Sequence, residues 1–151
     1  MIDSILISLS LPTTNKEILH EEIEEMKLLA LTLGYSINKS IIQNKNSIDA
    51  STYFGKGKIK TIINQCQELK YTTLFINDEL NPGHYKRIQK LAGEDLLIID
   101  RTKLILDIFN NHATTIESKT QVELASLQYM MPRLIGQWTH LERQMGGIGT
   151  R

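Results

Sequence analysis

The chain has 151 residues, a length that fits one compact domain with room for an appendage. Hydrophobic residues make up 41% of it and charged residues 23%, which excludes an intrinsically disordered protein. Its 17 basic and 17 acidic residues balance to a net charge of zero. The whole chain is therefore not a general nucleic-acid or membrane binder, and any such role must lie in a local patch.

The one cysteine and the first residues bear on the cellular compartment. Cys66 has no partner for an internal disulfide and lies on an apolar helical stripe, which is typical of a buried core residue in a reducing compartment. The first fifteen residues lack a basic region, and Asp3 and several serines interrupt their apolar stretch, unlike a signal peptide or a membrane-spanning helix. We expect a cytoplasmic protein with no membrane partner.

Residues 1–100 repeat one pattern, a short apolar run followed by turn residues and a longer helical periodicity. This pattern predicts an α/β domain with a mainly parallel, four-stranded sheet and flanking helices. The first strand is expected over Ile2–Leu11. Thr14, followed three residues later by Glu17, predicts a capping box at the start of the first helix, and Gly34 predicts its end.

The remaining elements of this domain follow in the same order. Tyr35–Ile42 is predicted as the second strand, and an apolar face that includes Cys66 predicts a helix that begins near Gly57. Short apolar runs at Leu74–Ile76 and Leu96–Ile99 predict the third and fourth strands. Pro82, between them, fits the first turn of a helix.

Residues 101–151 have a different, helical pattern. A short helix near residues 104–109 precedes a stripe with strict three-four spacing, formed by Leu124, Leu127, Met131, Leu134, Trp138, Leu141 and Met145. Such a stripe is typical of one arm of an antiparallel coiled-coil hairpin, with a kink at Pro132 and a glycine loop over residues 146–149 as its tip. No second long helix is left to cover the stripe. We therefore expect that the protein is truncated, or that the helix with the stripe pairs with another copy, docks on the α/β domain or is disordered from about Gly136 onward.

The run FGKGK over residues 54–58 is a candidate phosphate-binding loop, because glycines before a helix expose backbone amides and the lysines add charge. It lacks the Walker A pattern: Thr52 stands where the first glycine is required, and Ile59 replaces the hydroxyl residue that binds Mg²⁺. A plain turn and a weak site for RNA phosphate or nucleotide both remain open. The four histidines show no metal-ligand spacing, and no catalytic residues are predicted.

The strongest local charge bias lies between residues 126 and 151, where three arginines face a single acid, Glu142. Arginine forks bind phosphates in bidentate fashion, and glycines allow close approach of the backbone to RNA. Trp138 fits the apolar stripe better than an RNA contact. The sequence predicts RNA-binding residues at two places, the FGKGK run and this far end: Lys56, Lys58, Arg133, His140, Arg143, Gln144, Gly146, Gly147, Gly149 and Arg151.

Several of these runs also resemble a known protein family. The segments that carry the resemblance are Gly55–Lys58, Asp78–Pro82, Asp100–Thr102, Leu106–Phe109, Gln121–Ala125, Pro132–Leu134, His140–Leu141 and Arg143–Gln144, with Gly146, Gly147, Gly149 and Arg151. Together they resemble the HflX family of translational GTPases from about residue 53 to the end. Residues 1–50 are similar only in pattern.

The resemblance implies that the α/β domain and the hairpin bind the large ribosomal subunit and its rRNA, with the tip directed toward the peptidyl transferase centre. It also implies a GTP-binding domain, with GTP and Mg²⁺, that follows the hairpin and is absent from these residues. We therefore expect this chain alone to bind no cofactor and to hydrolyse no GTP. Two alternatives remain: a small nucleotide-binding domain or enzyme that uses Gly55–Lys58, and an oligomerisation module that pairs through the apolar stripe.

Overall fold

The structure is a computed structural model that describes the backbone of residues 1–149 and the side chains of residues 1–135. Strands and helices alternate along the first hundred residues, and two helices follow them. The elements are β1 Ile2–Ser10, α1 Lys16–Thr32, β2 Tyr35–Asn44, α2 Lys56–Glu68, β3 Thr73–Ile76, α3 Pro82–Ala92, β4 Leu97–Asp100, α4 Arg101–His112 and α5 Ile116–Gly149.

The four strands form one sheet in the order β2-β1-β3-β4, and every neighbouring pair is parallel. The α/β prediction with a parallel four-stranded sheet is therefore confirmed. Each strand boundary lies within two residues of its prediction. Because the strands are parallel, their carboxyl ends meet at one edge, where the loops that follow β1, β2 and β3 gather with the start of α4.

The alternation of side chains along β1 divides the core between the two faces of the sheet. Ile5, Ile7 and Leu9 pack with the apolar faces of α2 and α3, whereas Leu6 packs on the opposite face with α1 and α4. Cys66 is fully buried in the first of these clusters, as predicted. Both faces of the sheet are covered, as expected for a parallel sheet.

The two ends of α1 differ in how well the sequence predicted them. Gly34 has a φ of +86°, a left-handed conformation that glycine adopts without strain, so the predicted stop is confirmed. The capping box at Thr14 is wrong, because Asn15 caps the helix by accepting from the amides of Glu17 and Ile18. The Thr14 hydroxyl oxygen instead accepts from the Leu11 amide at 2.9 Å, within the turn that leaves β1.

The last helix, α5, continues through Pro132 and reaches Gly149. The predicted loop over Gly146, Gly147 and Gly149 is therefore wrong for the backbone that the structure describes. Each glycine lowers helix propensity by about 1 kcal/mol relative to alanine. Helix propagation still adds one hydrogen bond for each residue that it fixes, so an established helix can continue through weak positions.

The side of α5 that packs on the α/β domain is not the predicted apolar stripe. Tyr129 and Arg133, one helical turn apart, are buried, whereas Leu124, Leu127 and Met131 are all more than half exposed. The prediction that the stripe docks on the α/β domain is thus wrong for these residues. Trp138, Leu141 and Met145 have side chains outside the described part. The backbone of residues 136–149 belongs to α5, so the disorder expected from about Gly136 onward is not found there.

Candidate nucleic-acid interface

The loop between β2 and α2 lies at the carboxyl edge of the sheet and leads into the FGKGK run. Its end is fixed by Gln43, whose Oε1 accepts from the Gly55 amide at 2.9 Å. A Cβ on Gly55 would lie 2.8 Å from the Gln43 amide nitrogen. A glycine at position 55 therefore lets the start of α2 pack closely against the end of β2.

A tight turn around Asp49 shapes the middle of the same loop. Its Oδ1 accepts from the amides of Ser51 and Thr52 at 2.8 and 2.9 Å. The hydrogen bond donated by the Thr52 amide, followed by that from the Ser51 amide, lowers the pKa of the Asp49 carboxyl, because both hydrogen bonds favour the charged form of the carboxyl. Tyr53 has a φ of +65° and exchanges two backbone hydrogen bonds of 3.0 Å with Asp49. The loop is thus a defined turn.

Three side-chain contacts attach this turn to the loop after β3 and to α3. The Tyr53 hydroxyl donates to Asp78, Nε2 of His84 lies 3.1 Å from the Asp49 carbonyl, and Arg87 donates to the Ser51 carbonyl at 3.0 Å. Burial, followed by the bond to Asp78, raises the pKa of the Tyr53 hydroxyl well above its ordinary range. Tyr53 therefore stays protonated and remains a donor at neutral pH.

The first turn of α2 is basic and open to solvent. Gly55 provides no side-chain cap and the turn holds no acid, while Lys56, Lys58 and Lys60 are all exposed. Apart from the adjoining residues and backbone of α2 itself, no described atom lies within 4 Å of the position that a Cβ on Gly57 would occupy. Exposed amides at a helix N-terminus, the positive end of the helix dipole and flanking lysines together favour an anion such as an RNA phosphate.

Arg133, by contrast, faces the protein interior. Its side chain is buried, and its guanidinium donates to the carbonyls of Tyr129, at 2.6 Å, and Leu80. The guanidinium carbon also lies 3.6 Å from the centroid of the Tyr129 ring, a cation–π contact. Both terminal guanidinium nitrogens of Arg133 therefore donate inside the chain, and its predicted contact with RNA stays a prediction.

The other predicted residues at the far end cannot be compared in the same way. The side chains of His140, Arg143 and Gln144 lie outside the described part, as does all of Arg151. Gly146, Gly147 and Gly149 lie in α5. Their predicted contacts with RNA therefore remain predictions, whereas Lys56 and Lys58 are placed together on one exposed surface.

A buried polar network surrounds Asp100 and was not predicted from the sequence. This residue caps α4 by accepting from the Lys103 amide at 2.9 Å, and its second oxygen accepts from the Leu80 amide at 3.0 Å. Arg133 binds the carbonyl of the same Leu80. One feature of the sequence could have indicated this network: the spacing of Tyr129 and Arg133 places both side chains on one face of a helix.

Two other kinds of site receive no support from residues with described side chains. No group of three or more His, Cys, Asp and Glu residues there is arranged to hold a metal ion. Within the same residues, no helix is both long and apolar enough to cross a membrane.

The chain is similar to known proteins in both sequence and structure. The GTP-binding GTPase N-terminal family matches residues 20–110, and the GTP-binding GTPase middle region matches residues 112–151. The GTPase HflX of Flavobacterium psychrophilum is 41% identical over 148 residues, which are 98% of this chain and 35% of the relative. That of Escherichia coli is 35% identical over 131 residues, 87% of this chain and 30% of the relative.

A solved structure of similar fold is the GTP-binding protein from the hyperthermophilic archaeon Sulfolobus solfataricus in complex with GDP. It has a TM-score of 0.67 and 26% identity, and the alignment covers 92% of this chain and 40% of that one. The chain thus spans about a third of the length of the curated relatives described above. It belongs to the HflX family of GTPases and corresponds to the N-terminal and middle regions of its relatives.

Proposed function

We propose that this chain is the RNA-binding part of a cytoplasmic HflX-like GTPase. In this proposal it binds the rRNA of the large ribosomal subunit. The observation that carries the proposal is the basic first turn of α2, where Lys56, Gly57 and Lys58 lie exposed without an acid. Lysines and free helix amides bind the phosphate backbone, which supplies most of the affinity in sequence-independent RNA binding. GTP hydrolysis, with Mg²⁺, belongs in this proposal to the remaining two thirds of the relatives' length.

The proposed rRNA surface has a second part, which rests on sequence. His140, Arg143, Gln144 and Arg151, together with the glycines at 146, 147 and 149, combine arginine forks with positions of low steric bulk. The two parts predict different behaviour. Lysines at α2 act as point charges, whereas arginines near the glycines also recognise phosphate by shape.

Co-sedimentation of the chain with purified large ribosomal subunits tests the proposal. The variant with Lys56→Gln and Lys58→Gln should bind more weakly, and the logarithmic salt slope of binding should fall by about 0.7 to 0.9 for each phosphate that the variant no longer neutralises. A matched control carries Lys90→Gln and Lys119→Gln, two exposed lysines that belong to α3 and α5. Arg143→Ala and Arg151→Ala test the second part separately.

Equal binding by the chain, the α2 variant and the control would refute a role for the α2 surface. Failure of the chain to bind large subunits at any salt concentration would refute the whole proposal. A nucleotide titration addresses the alternative: if GTP or ATP binds the chain and the Lys56 and Lys58 variant abolishes that binding, the surface is a nucleotide site.

Self-association is a second candidate, favoured by the exposure of the apolar stripe. Leu124, Leu127 and Met131 are 56, 51 and 57% exposed, and Leu134 is 39% exposed. Full burial of an exposed side chain of this size stabilises by about 1.5 to 3 kcal/mol, so burial of these half-exposed side chains contributes roughly half of that each. Sedimentation equilibrium of the chain and of the variant with Leu127→Gln and Met131→Gln distinguishes the cases: a dimer that dissociates in the variant supports this function, and a monomer throughout refutes it.

A further inference from the structure

A second basic feature lies at the carboxyl edge of the sheet, separate from α2. It is a cleft of about 460 Å³ between the ends of β1 and β2 and the start of α1. Ser10, Thr14, Lys16, Asn44 and Lys45 are among its lining residues. Its size is that of a small-ligand site, and the carboxyl edge is where open parallel sheets bind ligands.

The chemistry of the lining selects an anion. Two lysines line the cleft and no acidic residue does, and neither lysine belongs to an ion pair of the described part. The positive charge of Lys45 does act on Asp49, because it contributes to the lowered pKa of that carboxyl. Asn44 adds amide donors. Thr14 uses its hydroxyl oxygen to accept from the Leu11 amide, which leaves its own O–H to donate.

Ser10 supplies an independent indication of a ligand. Its residue is only 5% exposed, yet it lines the cleft, and its hydroxyl forms none of the side-chain hydrogen bonds found among residues 1–135. The Ser10 carbonyl, in contrast, accepts from the Lys45 amide at 3.0 Å. The Ser10 Oγ is not one of the buried polar atoms that lack a partner among the described residues, so it is reached from the cleft, and its O–H can donate to a phosphate oxygen there.

We infer that this cleft binds one phosphate group of an RNA strand, with Lys16 and Lys45 neutralising it and Ser10 and Thr14 donating to its oxygens. The inference rests on the proposed rRNA-binding function and names a second contact for it. The first turn of α2 and the cleft lie at the same edge of the sheet, so one strand that follows this edge would meet both. A free nucleotide offers the same phosphate chemistry and is the competing occupant.

Binding of the 151-residue chain to fluorescein-labelled octauridylate, followed by anisotropy at several salt concentrations, tests the inference. The variant with Lys16→Gln and Lys45→Gln should bind about tenfold more weakly, and its salt slope should fall by about 0.7 because one phosphate is no longer neutralised. Lys90→Gln with Lys119→Gln is the control of equal charge change. Ser10→Val keeps both lysines but narrows the cleft, so it should weaken binding and leave the slope unchanged.

Equally weakened binding in the cleft variant and the control would show that only overall charge matters, and this would overturn the inference. Cytidine monophosphate, titrated while the amide resonances of the chain are recorded, addresses the other occupant. If it shifts the resonances of Ser10 and Lys45 while the cleft variant still binds octauridylate normally, the occupant is a free nucleotide and the inference is wrong. Co-sedimentation with large subunits reports on the proposed function separately, since it can fail while octauridylate binding by the cleft persists.

Discussion

Replacement of Arg133 by methionine should undock α5 from the α/β domain. Methionine preserves much of the length and apolar volume of arginine, but it removes the two bonds to the carbonyls of Tyr129 and Leu80 and the cation–π contact with Tyr129. The Leu80 carbonyl would then have no charged donor from Arg133. The Leu80 amide would still donate to Asp100, so the loop after β3 would be held from one side only.

The magnitude follows from opposing contributions. Each hydrogen bond from a charged donor stabilises by about 1.5 to 3 kcal/mol, and a desolvated cation–π contact by about 2 kcal/mol. The cost of burying the guanidinium offsets several kcal/mol of this, and its Nε has no partner in the described part. We expect a net destabilisation of about 2 to 3 kcal/mol, or a fall in Tm of about 4 to 12 °C for a chain of this size.

Thermal unfolding measures the global effect, and amide hydrogen exchange locates it. Protection should fall in α5 before Ile135 and near Leu80, and it should persist in β1. Arg87→Met is the matched control, because Arg87 is exposed and makes a single bond to the Ser51 carbonyl. Its effect should stay within about 0.5 kcal/mol. If the two variants have the same Tm and the same exchange pattern, the docking role of Arg133 is refuted.

Two further predictions concern the core and the turns. Burial raises the pKa of the Cys66 thiol to about 11, so the unfolded chain loses this proton at a lower pH than the folded chain does. The stability of the protein should therefore fall as pH rises from about 9 to 11. The denaturant midpoint of Cys66→Ala should fall less over this range, and identical curves for the two proteins would contradict the reasoning. Gly34→Ala should lower stability by about 1 to 2 kcal/mol, because the φ of +86° is strained for alanine. Gly57→Ala should instead raise it by up to about 1 kcal/mol, since α2 is open there, and two changes of the same sign would contradict this account.

Much of the fold could be predicted because strands and helices were encoded locally. Alternation in β1 and the three-four spacing in α1 and α2 each reflect burial against a sheet, so periodicity located them. Helix caps were harder. Thr14 and Asn15 are both good capping residues, and only the path of the chain after β1 decided that Thr14 bonds to Leu11 while Asn15 caps α1.

The candidate site was predictable only where charge and exposure coincide. The exposed basic surface at Lys56 and Lys58 was predictable because a helix start without acids is visible in sequence. The burial of Arg133 could not be predicted, because a local excess of arginine looks the same whether the guanidinium meets RNA or buried carbonyls. The lysines of the cleft, Lys16 and Lys45, are far apart in sequence and meet only because β1 and β2 are parallel neighbours.

Hydrogen bonds in the loop around Leu80 link the start of α2 to α5 and so fix the position of one relative to the other. The turn that precedes α2 is bound to the loop after β3 through Tyr53 and Asp78, and two residues further along that loop Leu80 is held by Asp100 and Arg133. From Arg133, α5 continues sixteen residues to Gly149, about 24 Å at the helical rise of 1.5 Å per residue. A partner that binds both the first turn of α2 and the far end of α5 must therefore present its two contacts at a fixed separation, or it must break the hydrogen bond between Arg133 and Leu80. A large, preformed RNA surface satisfies the first condition, whereas a short flexible strand satisfies it only at an entropic cost.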